Sequence, residues 1–148
     1  MKWFFDTTVL VAALLPGHPH HARSFPVFAS ATRKQAACAA HSVAEAYSTF
    51  TRYPGKERMS AEAASLVVQE IEHRFTLVWL DADEYCAAIR RMAQRGIVDG
   101  AVYDGLVAEC AIKAAADHLY TWNVRHFDLL GPEIKKLVTM PPEVRPMC

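Results

Sequence analysis

Apolar residues fall along this chain in two kinds of run, short continuous stretches and longer stretches spaced as one face of a helix, and the two kinds alternate. Residues 2–5 (Lys-Trp-Phe-Phe) predict a short strand ending at Asp6, and Thr7 to Leu15 a buried helix stopped by Pro16-Gly17. A histidine-rich loop, His18-Pro19-His20-His21, opens a helix running to about Thr32. Ala36 to Ala40 predict a second buried strand, Ser42 to Tyr53 a helix closed by Pro54-Gly55, and Ser60 to His73 another helix. Phe75 to Leu80, aromatic and β-branched, predict a third strand, and Asp83 to Arg95 an amphipathic helix ended by Gly96. A loop from Ile97 to Tyr103 leads to an alanine-rich helix over Asp104 to Ala116. His118 to Thr121 predict a fourth strand, Asn123 to Leu130 a turn or short helix, and Leu137 to Met140 a last strand before a proline-rich tail.

Strands that alternate with helices imply βαβ units, hence an α/β fold with a mainly parallel sheet of four to five strands covered on both faces. At 148 residues, with no internal repeat or linker, the chain reads as one domain over 1–148. The apolar N-terminal stretch resembles a signal peptide in outline, but Asp6 interrupts it and it is too short to span a bilayer, so it reads as core and no membrane role is expected.

Composition narrows the picture further. With 52% hydrophobic and 22% charged residues a disordered chain is excluded. Lys plus Arg equals Asp plus Glu at 16 each, so nucleic acid would have to be drawn by local clusters. Three such clusters are Arg23 with Arg33 and Lys34, Arg52 with Lys56 and Arg58, and Arg90, Arg91 and Arg95. Cys38, Cys86, Cys110 and Cys148 form no C-x-x-C pair, which points to free thiols in a reducing cytoplasm; Cys86 and Cys110 fall in apolar helical patterns, as small hydrophobes do.

Four polar residues stand at element junctions: Asp6 after the first strand, Glu45 after the second, Asp104 opening the alanine-rich helix and Asn123 after the fourth strand. Each has an ordinary structural explanation. Asp6, Asp104 and Asn123 suit helix N-caps, and Ser42-Val43-Ala44-Glu45 matches a capping box. As a set they mean more, because strand C-termini in a parallel sheet share one edge, where ligands bind. Asp6, Glu45 and Asn123 then line a common rim, and Asp104 joins them if its helix runs back past it. Three carboxylates so close repel one another, and hard oxygen donors without cysteine favour Mg²⁺, or Mn²⁺, over zinc.

Four segments carry a resemblance: Phe4-Phe5-Asp6-Thr7-Thr8-Val9-Leu10, Val43-Ala44-Glu45-Ala46-Tyr47, Val102-Tyr103-Asp104-Gly105-Leu106-Val107-Ala108, and Leu119 to Phe127. In order and spacing they resemble the motifs of PIN-domain VapC-like toxins, over nearly the whole chain. The resemblance implies a three-layer α/β/α sandwich and a metal-dependent endoribonuclease that is the toxin of a toxin–antitoxin pair. It implies Asp6, Glu45 and Asp104 as metal-binding acids, with Asn123 where many members carry a fourth acid. Asp128 and Asp99 are candidates to make up for that missing charge. It also implies an RNA substrate, a cognate antitoxin and a homodimer. Hydrolysis would leave a 5′-phosphate and a 3′-hydroxyl. Thr7, Thr121 and Asn123 are candidate contacts to phosphate or metal-bound water, and Trp122, Arg125 and His126 to an unpaired base.

Other residues are weighed against these. The three histidines of the 18–21 loop lack a metal-site frame and are expected to be structural or to touch RNA. Phe127 is expected in the core, and Asp117 at the far end of the sheet. The apolar residues Tyr47, Phe50, Tyr53, Leu66, Val67, Ile71 and Phe75 are either core stripes or a surface for self-association. Two rival functions are a catalytically inert PIN-like module that binds RNA or protein, favoured by Asn123, and a haloacid-dehalogenase-like phosphatase. The latter is suggested by Phe5-Asp6-Thr7-Thr8-Val9 but wants an acid where Thr8 stands, and Asp81 and Asp83 are poor substitutes for its later acidic pair.

Overall fold

The computed structural model describes residues 1–146, so Cys148 lies outside the described residues. Five parallel strands form one sheet in the order β3-β2-β1-β4-β5: β1 Trp3–Phe5, β2 Ala36–Ala39, β3 Thr76–Val78, β4 His118–Tyr120 and β5 Val138–Thr139. The principal helices are α1 Thr7–Leu14, α2 His21–Ala29, α3 Ala40–Arg52, α4 Ala61–Arg74, α5 Ala82–Gln94 and α6 Ala101–Lys113. Short helices α7 Val124–Asp128 and α8 Pro132–Lys135 follow β4.

The two-residue repeat of a strand divides its side chains between two cores. Phe5, Ala36, Cys38 and Tyr120 face one core with α1 to α4, where Leu10, Phe50, Ile71 and Phe75 are fully enclosed. Phe4, Ala37, Ala39 and Leu119 face the other, against Met92, Leu106, Val107, Cys110, Phe127 and Ile134 of the later helices. The result is the expected three-layer sandwich, with a sheet wholly rather than mainly parallel. β2, Ala-Ala-Cys-Ala, has little intrinsic strand preference; its central place between β1 and β3 holds it extended, and all four residues are buried.

Several expectations change at the boundaries. α3 begins at Ala40 directly from β2, so Ser42 stands one turn inside the helix and no capping box forms with Glu45. The capping box of this chain is instead Asp81 with Glu84, at the start of α5. α6 begins at Ala101, which places Asp104 within its first turn rather than at its cap. Asp6 and Asn123 occupy cap positions, but neither side chain makes a cap hydrogen bond; Asp6 bonds the Thr8 hydroxyl of α1 instead. Cys86 is exposed, because the buried stripe of α5 runs through Ala88 and Met92 on another face. Of the proposed association stripe, Phe50, Ile71 and Phe75 are core, whereas Tyr47 and Leu66 remain exposed. Among the described residues no helix is long and apolar enough to cross a membrane.

Candidate active site

The sheet order turns back on itself at β1: β2 and β3 lie to one side, β4 and β5 to the other. Crevices in parallel α/β sheets open at such a switch point, beyond the strand C-termini. Pairing of Phe5 with Tyr120 puts the next residues, Asp6 and Thr121, side by side there, and the Asp6 amide donates to the Tyr120 carbonyl at 2.9 Å. Asp6 is buried, and its Oδ2 accepts from the hydroxyls of Thr8 (2.7 Å) and Thr121 (2.8 Å). Thr121 is fully buried; its hydroxyl also accepts from the Asn123 amide at 2.9 Å. It therefore orients Asp6 and cannot reach substrate. The Thr7 hydroxyl likewise donates to buried Ser42 Oγ at 2.8 Å, tying α1 to the first turn of α3, which precedes Glu45.

Asp6, Glu45, Asp104 and Asn123 line one cleft of about 450 Å³, together with Thr7, Thr8, His18, His20, Thr49, Tyr53 and Trp122. A second hollow of about 670 Å³ shares Glu45, Asp104 and Asn123 and extends past His41, Tyr85, Tyr103 and His126. No lysine or arginine lines either one. A third hollow, between α5, α6 and Leu130, holds none of the acids, and its Arg91 is paired with Glu109 at 2.7 Å. The four residues singled out by position in the sequence thus do share one rim.

Their electrostatics follow from that crowding. Burial pushes the Asp6 carboxyl up to about 6 and the Asp104 charge adds to the rise, although the two threonine hydroxyls oppose it. Glu45 is raised by burial and then by Asp6 and Asp104. Asp104 is raised by burial, against the pull of His126. Two of the acids lean on histidines: Asp104 Oδ2 lies 2.8 Å from His126 Nδ1, and Glu45 Oε1 3.4 Å from His41 Nε2. Burial lowers the His41 imidazole, and its Nε2 makes no hydrogen bond to Glu45. The acids do not converge: among the described residues no three Asp, Glu, His or Cys side chains are already gathered to hold a metal ion. The donor set nevertheless fits a hard divalent cation, since three carboxylates line a cleft that no lysine or arginine among the described residues enters, and the Asp104 charge raises both Asp6 and Glu45.

The remaining candidates separate clearly. Asp128 and Asp99 line neither hollow, so neither replaces a fourth acid at Asn123. Arg125 is exposed and lines neither, while His126 lines the second hollow beside Asp104. Phe127 is core, as expected. The histidine run divides: His21 bonds the Ala12 carbonyl, whereas His18 and His20 face the cleft. Trp122 stacks on His20 with ring centroids 3.9 Å apart. Of the basic clusters, Arg33 is engaged by the Glu72 carbonyl and Arg95 by that of Leu130, while Arg52, Lys56 and Arg58 are exposed around the end of α3, Arg58 donating to the Tyr53 carbonyl at 3.1 Å. The roles of Thr8, Ser42 and His41 escape the sequence, since nothing in residue spacing reveals hydrogen bonds made across elements.

Comparison with known proteins agrees with this arrangement. The PIN domain family profile matches residues 3–129. Ribonuclease VapC40 of Mycobacterium tuberculosis is 32% identical over 120 residues, 81% of this chain and 85% of that protein. Ribonuclease VapC27 of the same species is 36% identical over 114 residues, 76% of each. Among solved structures, Mycobacterium tuberculosis VapC20, a Sarcin-Ricin loop cleaving toxin, aligns with a TM-score of 0.68 at 14% identity, over 84% of this chain and 92% of that one. VapBC2 from Rickettsia felis, bound to a DNA fragment from their promoter, aligns at 0.59 and 21% identity, over 93% and 96%. With a family profile spanning Asp6, Glu45, Asp104 and Asn123, and ribonuclease relatives aligned over most of its length, this chain belongs to the PIN-domain family, in its VapC-like branch.

Proposed function

We propose that the chain is a divalent-metal-dependent endoribonuclease, the toxin half of a toxin–antitoxin pair, and that Asp6, Glu45, Asp104 and Asn123 form its active site. The observation that carries this reading is the cleft lined by three carboxylates and by no lysine or arginine among the described residues, in a chain whose aligned relatives are ribonucleases. Asp6 and Asp104, with Glu45, would hold Mg²⁺ or Mn²⁺, which when bound supplies charge to the phosphate and acidity to water. Asp6 is held in place by Thr8 and Thr121, so its oxygens need little rearrangement. Glu45, with its carboxyl raised by burial, is suited to take the proton of the attacking water. The water oxygen bonds to phosphorus in line with the departing 3′-oxygen, which leaves with the P–O electron pair and takes a proton from solvent. The products are a 5′-phosphate and a 3′-hydroxyl. The Asn123 amide faces both hollows and serves as a neutral hydrogen-bond donor to phosphate.

RNA approaches over the exposed Arg52, Lys56 and Arg58 beside the cleft. An antitoxin partner is supported by the likeness to VapBC2. Self-association as a homodimer is part of the same proposal, with exposed Tyr47 and Leu66 as its surface. A cytoplasmic setting accords with the free thiols Cys38 and Cys110 buried in the two cores.

The test is cleavage of structured and single-stranded RNA in Mg²⁺ or Mn²⁺, beside a chelator and Asp6→Asn. Discrete products with 5′-phosphate ends, lost in both controls, are expected. Asn123 and the separation of the acids favour one second reading, an inert RNA-binding module. No cleavage together with no metal-dependent stabilisation would establish that module instead.

A further inference from the structure

The cleft has a second wall that the hydrolytic chemistry does not use. Trp122 follows β4 on the rim, and its indole Nε1 donates to Ser24 Oγ of α2 at 2.9 Å, where Ser24 is fully buried. The Arg23 guanidinium lies 4.9 Å from the ring centroid and is itself held by the Pro141 carbonyl. His20 stacks on the indole, with planes 10° apart. The His20 backbone amide donates to His18 Nδ1 at 3.0 Å, which fixes the bend of the loop. His20 is exposed, and both it and Trp122 line the same cleft as Asp6. The link to Asp6 is short and direct. The Trp122 amide donates to Thr8 Oγ1 at 3.1 Å, and that hydroxyl donates to Asp6 Oδ2 at 2.7 Å.

We propose that His20, backed by Trp122, is the stacking platform for an unpaired base of the RNA next to the scissile phosphate. This inference rests on the ribonuclease reading and deepens it, because it names the substrate feature the cleft takes: a nucleotide whose base is unstacked from its neighbours. Single-stranded and looped RNA is bound by such aromatic platforms, whereas the bases of a continuous helix remain stacked on one another. Trp122 does not itself receive the base, since His20 already covers it; it keeps the imidazole flat and in place. Because one hydroxyl joins the Trp122 backbone to Asp6, a base seated on His20 sets the position of its phosphate relative to the acids. His20 and Trp122 are positioning and specificity residues.

The probe is a ten-nucleotide single-stranded oligoadenylate carrying a fluorescent label, titrated in Ca²⁺ rather than Mg²⁺ so that cleft charge is offset while turnover is suppressed. His20→Ala is expected to bind roughly 5- to 150-fold more weakly than the native chain. His20→Phe, which restores a flat ring without a ring nitrogen, is expected to return to within about threefold of native binding. A ladder of the same length without bases should bind both the native chain and His20→Ala equally weakly. Unfolding midpoints of both variants, measured alongside, exclude a folding defect, and none is expected at an exposed position. Native-like binding by His20→Ala, a His20→Phe variant as weak as His20→Ala, or a native chain that does not prefer oligoadenylate to the ladder would each overturn the platform. The Mg²⁺ cleavage assay with Asp6→Asn judges the nuclease reading separately. Cleavage without a His20-dependent base preference removes only the platform; the reverse result removes only the nuclease.

Discussion

Consider Asp6→Asn in the chain freed of metal by a chelator. Burial holds the Asp6 carboxyl at about 6, against an ordinary value of 3.8, so the native state binds this proton more tightly than the unfolded chain does. The linkage sign is therefore the reverse of the usual carboxylate case. The stabilisation is fully present below about pH 4 and is lost as the pH rises through 6. A rise of about two units, at 1.36 kcal/mol per unit, amounts to roughly 3 kcal/mol once Asp6 is ionised. Asparagine has the same shape, accepts from the Thr8 and Thr121 hydroxyls through its own oxygen and carries no charge. The variant should therefore be more stable than the native chain by roughly 3 kcal/mol at pH 8, by roughly half that at pH 5 and by less than about 1 at pH 4. At pH 8 that corresponds to a melting temperature higher by roughly 6–12 °C. Urea unfolding across this pH series measures the gap. Adding Mg²⁺ should then stabilise the native chain and not the variant, by about 1.4 kcal/mol when the free ion is ten times its dissociation constant. An Asp6→Asn variant less stable than native at pH 8, or a gap that ignores pH, would refute the account of a carboxylate confined without its counter-ion.

Three further outcomes follow from the same geometry. Glu45→Gln removes the proton acceptor while keeping the shape, so kcat for RNA cleavage should drop by roughly 10²–10⁴ with unfolding midpoints little changed. Ser42→Ala strands the buried Thr7 hydroxyl and should cost about 1–3 kcal/mol in urea unfolding, with a fall in kcat if the Thr7–Ser42 bond sets the place of Glu45. Asp81→Ala breaks the capping box of α5, far from the chemistry; a loss of about 0.5–2 kcal/mol with unchanged cleavage is expected, and an unchanged midpoint would show the cap to be idle.

The alternation of short apolar runs with amphipathic ones, read from the chain alone, determined the element order and the layered parallel architecture, because side-chain periodicity is a local property of the backbone. It also placed Asp6, Glu45 and Asn123 on one edge, since strands that run parallel must end together, and left Asp104 to the course of its helix. The N-terminus of α3 was misplaced because Ala40 and His41 carry no cap signal, and the chain enters that helix from β2 without a loop. α6 was predicted three residues late for a similar reason, as Ala101 to Tyr103 resemble loop until Asp99 turns the backbone at a φ of 56°. Only the tertiary structure decided what each polar residue does. Thr121 is buried on Asp6, Ser42 serves Thr7 rather than its own helix, and Trp122 lies beneath His20. These pairings join residues 35 to 115 positions apart. No periodicity encodes such contacts; they arise when β1 and β4 pair in register and the sheet brings α1, α2 and α3 together at its edge.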